Sequence, residues 1–234
     1  MPFHYVTITD QLAWLPDHAG TAAASVPGLP AGYETYLNLL PPLGIDRSVP
    51  IAEYSFARSS VAELNARAAF WNKYGIVQGQ PAVSRLQPIT HQEIAASLGL
   101  AYGTDFDSAA ISRAHGGHWP PHLGSSSLFT EAFAQRLTQA MGPAMEAYFY
   151  GSQEEGNGTW DSDGLPADWL ALGTLADLPK TYRQDGSFPT YVFAANYSWC
   201  FYQAELVDWL AFGGPAEVAN ALLASPGMES FRLA

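Results

Sequence analysis

Three scarcities mark this sequence: little positive charge, a single cysteine and no long apolar run. Only 10 of its 234 residues are Lys or Arg, whereas 22 are Asp or Glu, and the formal net charge is −12. Phosphate groups repel such a chain, so we expect neither nucleic acid nor a membrane surface as a partner. A basic protein is the better candidate, because opposite potentials accelerate encounter; the alternative is that the acidity serves only solubility.

The single cysteine excludes an internal disulfide, and with it a disulfide-stapled secreted fold. Cys200 lies in the apolar run Ser-Trp-Cys-Phe-Tyr, which predicts a buried thiol rather than a nucleophile. The N-terminal stretch does not have the pattern of a signal peptide, and no apolar run reaches the roughly 18 residues of a membrane-spanning helix. We therefore expect a cytoplasmic protein.

The apolar pattern predicts an α+β protein with one domain over residues 1–234. Runs rich in aromatic and β-branched residues at 147–150, 169–172, 190–194 and 199–206 predict antiparallel strands, with short strands near Phe3 and Phe231. Capping boxes, prolines and glycines delimit five helices: one after Pro30 that ends at Pro41, one from Ser60 to Gly75, one from Thr90 to Gly99, one from about Leu128 to Met141, and one from Pro215 to about Gly227.

This order of elements predicts how the layers pack. Helices followed by clustered strands indicate a mainly antiparallel C-terminal sheet, packed against helices from the N-terminal half and one late helix. Residues 1–30, which are rich in small residues and proline, are predicted to be a loosely packed N-terminal segment.

The metal-binding candidate is the loop that holds His115, His118 and His122. These are three of the six histidines, with Asp105 and Asp107 just upstream, and imidazole and carboxylate groups bind Zn²⁺ and similar ions. The glycines and prolines of the loop forbid a regular helical metal pair. The alternative is a turn whose histidines face solvent or bond to backbone, so we assign no metal ligand and keep a metal-dependent hydrolase as the second hypothesis.

No nucleophile elbow, zinc-protease helix or dinucleotide-binding glycine motif occurs in the sequence. We therefore predict no catalytic residue and no cofactor, and favour a non-enzyme over an enzyme.

The candidate binding segment is an acidic, aromatic stretch. Residues 137–179 contain seven acids and no Lys or Arg. Trp is frequent at binding hot spots, and flanking carboxylates pair with basic residues of a partner; the alternative is a solvated hairpin loop with Trp169 in the core. The predicted binding residues are Glu154, Glu155, Trp160, Asp161, Asp163 and Asp168.

Three scattered pieces of the sequence carry a family resemblance. They are Leu29-Pro-Ala-Gly-Tyr33-Glu34-Thr-Tyr36, then Pro120-Pro121-His-Leu-Gly124 with Glu146 to Gly151, and Ser198-Trp199-Cys200 followed by Glu205, Asp208 and Gly213-Gly214. Together they resemble a family of uncharacterised bacterial proteins, commonest in actinobacteria. The chain departs from that family at Asn196-Tyr197, where Asp-Arg is usual, and residues 46–88 look like a helical insertion. The resemblance implies a fold and carries no activity.

A second likeness suggests a function. The Leu-Pro-x-x-Tyr segment, the acidity and the helix-then-sheet order are similar to those of SUKH-type immunity proteins, acidic α+β domains that bind toxins. The first hypothesis is therefore a non-enzymatic protein-binding module, an immunity-type protein that masks a basic surface such as that of a toxin. A third hypothesis is a small-molecule pocket lined by some of the many Tyr and Trp side chains.

Overall fold

The structure is a computed structural model that describes residues 2–16, 26–57, 59–104, 106–124, 130–154, 156–185, 188–203 and 209–233. The predictions that involve Asp105, Glu155, residues 125–129 and residues 204–208 lie outside these described residues. The chain divides into two compact units. The sheet unit comprises Met1–Pro41 and Ser127–Ala234, and the second unit comprises Pro42–Ser126, which includes the predicted insertion at residues 46–88.

The strands of the described residues pair antiparallel throughout. They are β1 (His4–Tyr5), β2 (Thr35–Leu40), β3 (Leu43–Ile45), β4 (Gln87–Ile89), β5 (Glu146–Gly151), β6 (Thr159–Trp160), β7 (Pro166–Ala167), β8 (Trp169–Thr174), β9 (Tyr191–Ala194), β10 (Cys200–Tyr202), β11 (Leu210–Gly214) and β12 (Glu229–Leu233). Eight of them form one sheet in the order β1-β8-β5-β9-β10-β11-β2-β12, while β3 pairs with β4 and β6 pairs with β7. An α+β fold with a large antiparallel sheet is therefore confirmed.

Six α-helices lie within the described ranges. They are α1 (Val61–Tyr74), α2 (His91–Leu98), α3 (Ser108–Ala114), α4 (Glu131–Met141), α5 (Leu178–Asp185) and α6 (Ala216–Leu223). Both predicted capping boxes are confirmed: the hydroxyls of Ser60 and Thr90 accept the N–H groups of Glu63 and Glu93. The predicted glycine stops, Gly75 and Gly99, adopt the left-handed conformation that ends α1 and α2.

The predicted helix after Pro30 is wrong, because Thr35–Leu40 is strand β2. Leu37 and Leu39 point into the core on one face of the sheet, while Tyr36 packs against the core on the other face. β2 lies between β11 and β12, and its apolar residues contribute to the clusters on both faces of the sheet, so they form a nearly continuous run. Such a run matches a helical spacing of three and four as well as it matches a strand.

The sheet carries a separate apolar cluster on each face. On one face, α4, α5 and α6 contribute residues such as Phe133, Leu178 and Leu222, which pack on Phe149 and Phe201 of the strands. All three helices begin at residue 131 or later. The described helices that pack on the sheet therefore belong to the sheet unit. These helices bury apolar stripes in the way expected of amphipathic helices.

The opposite face is covered by part of the N-terminal segment. Leu12, Leu15, Val26 and Leu29 are buried there against the aromatic side chains of the central strands. Tyr150, Tyr191, Tyr202, Phe193 and Cys200 belong to this cluster. The N-terminal segment therefore supplies part of the core of the sheet unit.

The second unit has its own small core. Leu43, Ile94, Phe106, Ile111 and Leu123 are buried together, which places α2, α3 and the β3–β4 pair around one apolar centre. Helix α1 contributes no buried residue to it.

Candidate protein-binding surface

The predicted binding residues lie in a hairpin between β5 and β8. We call residues 152–168 the acidic hairpin, because its five charged residues are all Asp or Glu. Strands β6 and β7 pair within it, with Thr159 opposite Ala167 and Trp160 opposite Pro166. The hairpin therefore extends beyond the main sheet. The alternative interpretation, a solvated hairpin loop, requires the same arrangement.

The base of the acidic hairpin is fixed where β5 ends and β8 begins. Trp169, the first residue of β8, is 6% exposed and donates its indole N–H to the carbonyl oxygen of Asn157 at 2.8 Å. Gly151 makes room for that indole: a Cβ there would lie 2.0 Å from Trp169 Nε1 and 2.2 Å from Asn157 O. The N–H of Ser152 donates to Thr190 Oγ1 at 3.0 Å. The hairpin thus starts from a closely packed, hydrogen-bonded platform.

The tip of the hairpin is held by one side chain. Asp161 Oδ1 accepts the backbone N–H groups of Asp163 and Leu165, both at 2.9 Å. The N–H of Asp161 donates to Leu165 O at 2.8 Å, and Gly164 has a φ of 75°, which glycine adopts without strain. The tip is therefore ordered by its own sequence.

Two large apolar side chains project from this ordered hairpin. Trp160 is 73% exposed and Leu165 is 62% exposed. The carboxylate residues Glu154, Asp161 and Asp163 are exposed as well. We call Glu154, Trp160, Asp161, Asp163 and Leu165 the hairpin surface; it joins exposed apolar area to carboxylates and includes no Lys or Arg.

Asp168 makes two hydrogen bonds within the chain. Its Oδ2 accepts the hydroxyl of Tyr150 at 2.6 Å, and its Oδ1 accepts the N–H of Gln153 at 2.8 Å. Burial first, and then the bond to Asp168, raise the pKa of the Tyr150 hydroxyl above its usual range. Because both oxygens of Asp168 are engaged within the chain, we leave it out of the hairpin surface, and Glu155 lies outside the described residues.

The histidine loop follows α3 in the second unit. His115 caps the end of α3, and its Nδ1 lies 2.8 Å from Ile111 O, while the His115 and His122 rings are 6.2 Å apart. Asp107 Oδ1 accepts the N–H of Ala110 at 2.7 Å as the N-cap of α3. Among the described residues, which omit Asp105, no group of three or more His, Cys, Asp or Glu is arranged to hold a metal ion. His118 is half-buried and takes no part in such a group.

His122 lies near an ion pair between the buried Asp46 and the exposed Arg85. Asp46 is 3% exposed, and its Oδ2 lies 3.1 Å from Arg85 Nε, while its N–H donates to the carbonyl oxygen of His122 at 2.8 Å. Burial, and then the nearby His115, lower the pKa of His122 to about 4. His122 is therefore neutral at physiological pH and is part of the packing of this unit.

The remaining reactive group is buried. Cys200 is fully inaccessible in β10, and burial raises the pKa of its thiol well above the usual value. This confirms the predicted buried thiol. A surface depression of about 420 Å³ lies beside Trp199, with Met145, Glu146 and Asn196 in its wall.

The apolar contribution of Leu165 is the part of the surface that sequence reasoning missed. An isolated leucine after Gly164 carries no periodicity, and only the structure places it at the exposed tip, where its carbonyl oxygen accepts the N–H of Asp161 at 2.8 Å. No helix in the described part of the chain is long and apolar enough to cross a membrane. Comparison with protein-family models, with curated proteins and with solved structures gives no match to this chain.

Proposed function

We propose that this chain is a non-enzymatic, cytoplasmic protein-binding module whose hairpin surface binds a basic protein. The favoured partner is a toxin whose basic surface the chain masks, as the likeness to SUKH-type immunity proteins suggests. One observation carries the proposal: Trp160 is 73% exposed on an ordered hairpin in which every charged residue is acidic.

An exposed tryptophan leaves a large apolar surface in contact with water, and binding to a partner can bury that surface. Tryptophan is enriched at binding hot spots, and exposed apolar surface that is rimmed by polar residues marks interaction sites. Trp160 and Leu165 present such area, and burying an anchor of this kind typically contributes about 2 kcal/mol or more to binding.

The order of the hairpin supports the same use. The bonds of Asp161 to the tip and of Trp169 to the base fix the backbone before any partner arrives. A surface that is already ordered loses little conformational entropy on binding, so more of the contact energy appears as affinity.

Charge sets the class of partner. The hairpin surface has three carboxylates and no cation, and the chain as a whole has a formal net charge of −12. Opposite charge on the partner accelerates encounter and excludes acidic competitors, so a Lys- and Arg-rich protein surface fits and a nucleic acid does not.

Site-specific photocrosslinking tests this proposal. A photoreactive phenylalanine derivative replaces Trp160 in the full chain, expressed in its own cells, and the same residue replaces Val83, which is 84% exposed in the second unit, as the matched control. We expect an adduct with a basic protein from position 160 and not from position 83. Identical adducts from both positions, or an acidic partner, would contradict the proposal.

Growth rescue separates an immunity role from other binding. If the captured protein is a toxin, co-expression of the chain restores growth of cells that make it. The W160A variant is expected to lose about 30-fold in affinity for that protein and with it the protection, because truncating a hot-spot Trp costs about 2 kcal/mol. A captured basic protein that is not toxic would support the binding function and remove the immunity role.

A further inference from the structure

A second aromatic surface lies on the sheet unit, at the turn that joins β9 to β10. Trp14 packs edge-on against Phe193 with ring centroids 5.2 Å apart, and Tyr197 stacks on the same ring at 6.0 Å with planes 19° apart. The Trp14 and Tyr197 rings are 5.1 Å apart and inclined at 56°. With Asp10 and Ala13 these two rings line an open cavity of about 370 Å³, which we call the aromatic corner.

The groups that line the aromatic corner are electron-rich rings and a carboxylate. The indole N–H of Trp14 already donates to Gln11 O at 2.7 Å, so Trp14 offers its ring surface rather than a hydrogen-bond donor. Within the described residues the Asp10 carboxylate makes no hydrogen bond or ion pair, and Asp10 is exposed. The corner therefore combines two electron-rich rings with one negative charge, and its described lining residues include no cation.

The backbone at Tyr197 adopts a strained, left-handed conformation. Tyr197 has a φ of 62°, a left-handed conformation that costs a bulky residue about 1–2 kcal/mol and that Gly or Asn takes more easily. Its ring is 42% exposed, so burial returns only part of that cost. Strained residues that the surroundings hold in place cluster at binding sites.

The surroundings do hold Tyr197 in place. Its N–H donates to Ala194 O at 2.8 Å, and its carbonyl oxygen accepts the hydroxyl of Tyr33 at 3.4 Å. In the same turn, Asn196 Oδ1 accepts the N–H and the hydroxyl of Ser198. The turn therefore fixes the Tyr197 ring beside Trp14.

We propose that the aromatic corner binds an organic cation, an ammonium or guanidinium group, in the open cavity that the Trp14 and Tyr197 rings and Asp10 line. Ring faces attract cations through their quadrupole, and a carboxylate adds a direct charge pair. The negative charge of the chain raises the local concentration of cations near such a site. The cation is either a free small molecule or a Lys or Arg side chain of a partner protein.

This site is separate from the hairpin surface in the sequence and in the sheet. The acidic hairpin follows the end of β5, whereas Tyr197 follows the end of β9, and these two strands run antiparallel beside each other. The two surfaces therefore lie at opposite ends of the same strand pair, and binding at the aromatic corner does not depend on the proposed function of the hairpin.

A titration followed by NMR tests the proposal. Tetramethylammonium chloride represents a free ligand, N-acetylarginine methylamide represents a protein side chain, and 3,3-dimethylbutan-1-ol is the neutral analogue of similar shape. The readout is the Trp14 indole N–H signal, assigned by its loss in W14F. We expect both cations to shift it saturably in the millimolar range and the alcohol to bind at least about fivefold more weakly, as expected of a modest cation–π contribution.

Two variants, checked for folding by the dispersion of their NMR spectra, complete the test. D10N removes the charge with no change of shape, and Y197N removes the ring while suiting the left-handed conformation. Each is expected to weaken cation binding at least about fivefold. Tighter binding of the tetramethylammonium ion favours a free ligand, and tighter binding of the arginine derivative favours a protein side chain. No shift with either cation, equal binding of the alcohol, or full binding by both variants would overturn the proposal.

Discussion

The hydroxyl of Tyr150 donates a 2.6 Å hydrogen bond to Asp168, which joins the penultimate residue of β5 to the residue just before β8. Tyr150 is 2% exposed, whereas Asp168 is exposed, so the bond ties a solvent-facing carboxylate to the core. The carboxylate that is predicted to contact a partner therefore also stabilises the base of the hairpin.

Removing this bond is expected to lower stability and to change its dependence on alkaline pH. Y150F removes one hydrogen bond to a charged acceptor and should lower the free energy of unfolding by about 1–2 kcal/mol near neutral pH. The raised pKa of Tyr150 means that folding favours its protonated form. That stabilisation is fully present below the unfolded pKa of about 10 and is lost as pH rises above it.

The measurement is urea unfolding of wild type and Y150F at a series of pH values from neutral to alkaline. The difference in free energy of unfolding should be constant below pH of about 10 and should shrink above it. Cys200, whose pKa is also raised, contributes equally to both proteins and cancels in the difference. A difference that grows at alkaline pH would show that the hydroxyl does not resist ionisation.

Gly151 is expected to be intolerant of any side chain. The Cβ of an alanine would overlap Trp169 Nε1 and Asn157 O, both close to 2 Å away, so the indole must move and lose its hydrogen bond. G151A should lower the free energy of unfolding by about 2 kcal/mol and weaken partner binding, because the hairpin shifts on its base. G103A, which meets no atom within 4 Å, is the matched control. Equal stability of the two variants would contradict the packing described for the hairpin base.

His122 should make the second unit sensitive to acid. Its folded pKa is lowered to about 4, so folding favours the neutral ring. The resulting stabilisation is present above the unfolded pKa of about 6.5 and is lost as pH falls through that value toward about 4. H122F keeps an aromatic ring of similar size and cannot titrate.

Hydrogen exchange is the suitable measurement, because it reports on peptides of residues 42–126 separately. Protection of these peptides should fall between pH 6.5 and about 4 in wild type and fall less in H122F, after correction for the intrinsic exchange rate. H4Q, a change at an exposed histidine of the sheet unit, is the control and should match wild type. The same loss of protection in H122F would assign the acid response to another group.

Local signals in the sequence predicted local structure well. Capping boxes and glycine stops act within one helical turn, so a few neighbouring residues are enough to recognise them. This holds for the boxes at Ser60 and Thr90 and for the stops at Gly75 and Gly99. The C-terminal strands were predicted for the same reason, since turn residues separate short aromatic runs. Strand β2 was missed because its apolar residues, which serve both faces of the sheet, also fit a helical spacing of three and four.

Composition alone could not assign roles to the acids of the hairpin. Asp168 and Asp163 look alike in the sequence, yet Asp168 binds Tyr150 and Gln153 through pairings set by the sheet, while Asp163 extends from an exposed turn. The aromatic corner was anticipated only as an unspecified pocket lined by Tyr and Trp. Trp14 and Tyr197 are far apart in the sequence, and only the packing of the N-terminal segment on the sheet brings them together.

The central claim is that carboxylates of the hairpin surface attract a basic partner. E154Q/D163N removes two of these charges and leaves the Asp161 turn intact, and E131Q/E217Q removes two acids from α4 and α6 as the matched control. The affinity of wild type and both variants for the protein captured at position 160 is measured by calorimetry from about 0.05 to about 0.5 M NaCl.

The account predicts that wild-type affinity falls as salt rises, that E154Q/D163N binds more weakly at low salt with a shallower dependence, and that E131Q/E217Q follows wild type. Affinity that is independent of salt, or the same salt dependence in E154Q/D163N as in wild type, would contradict it.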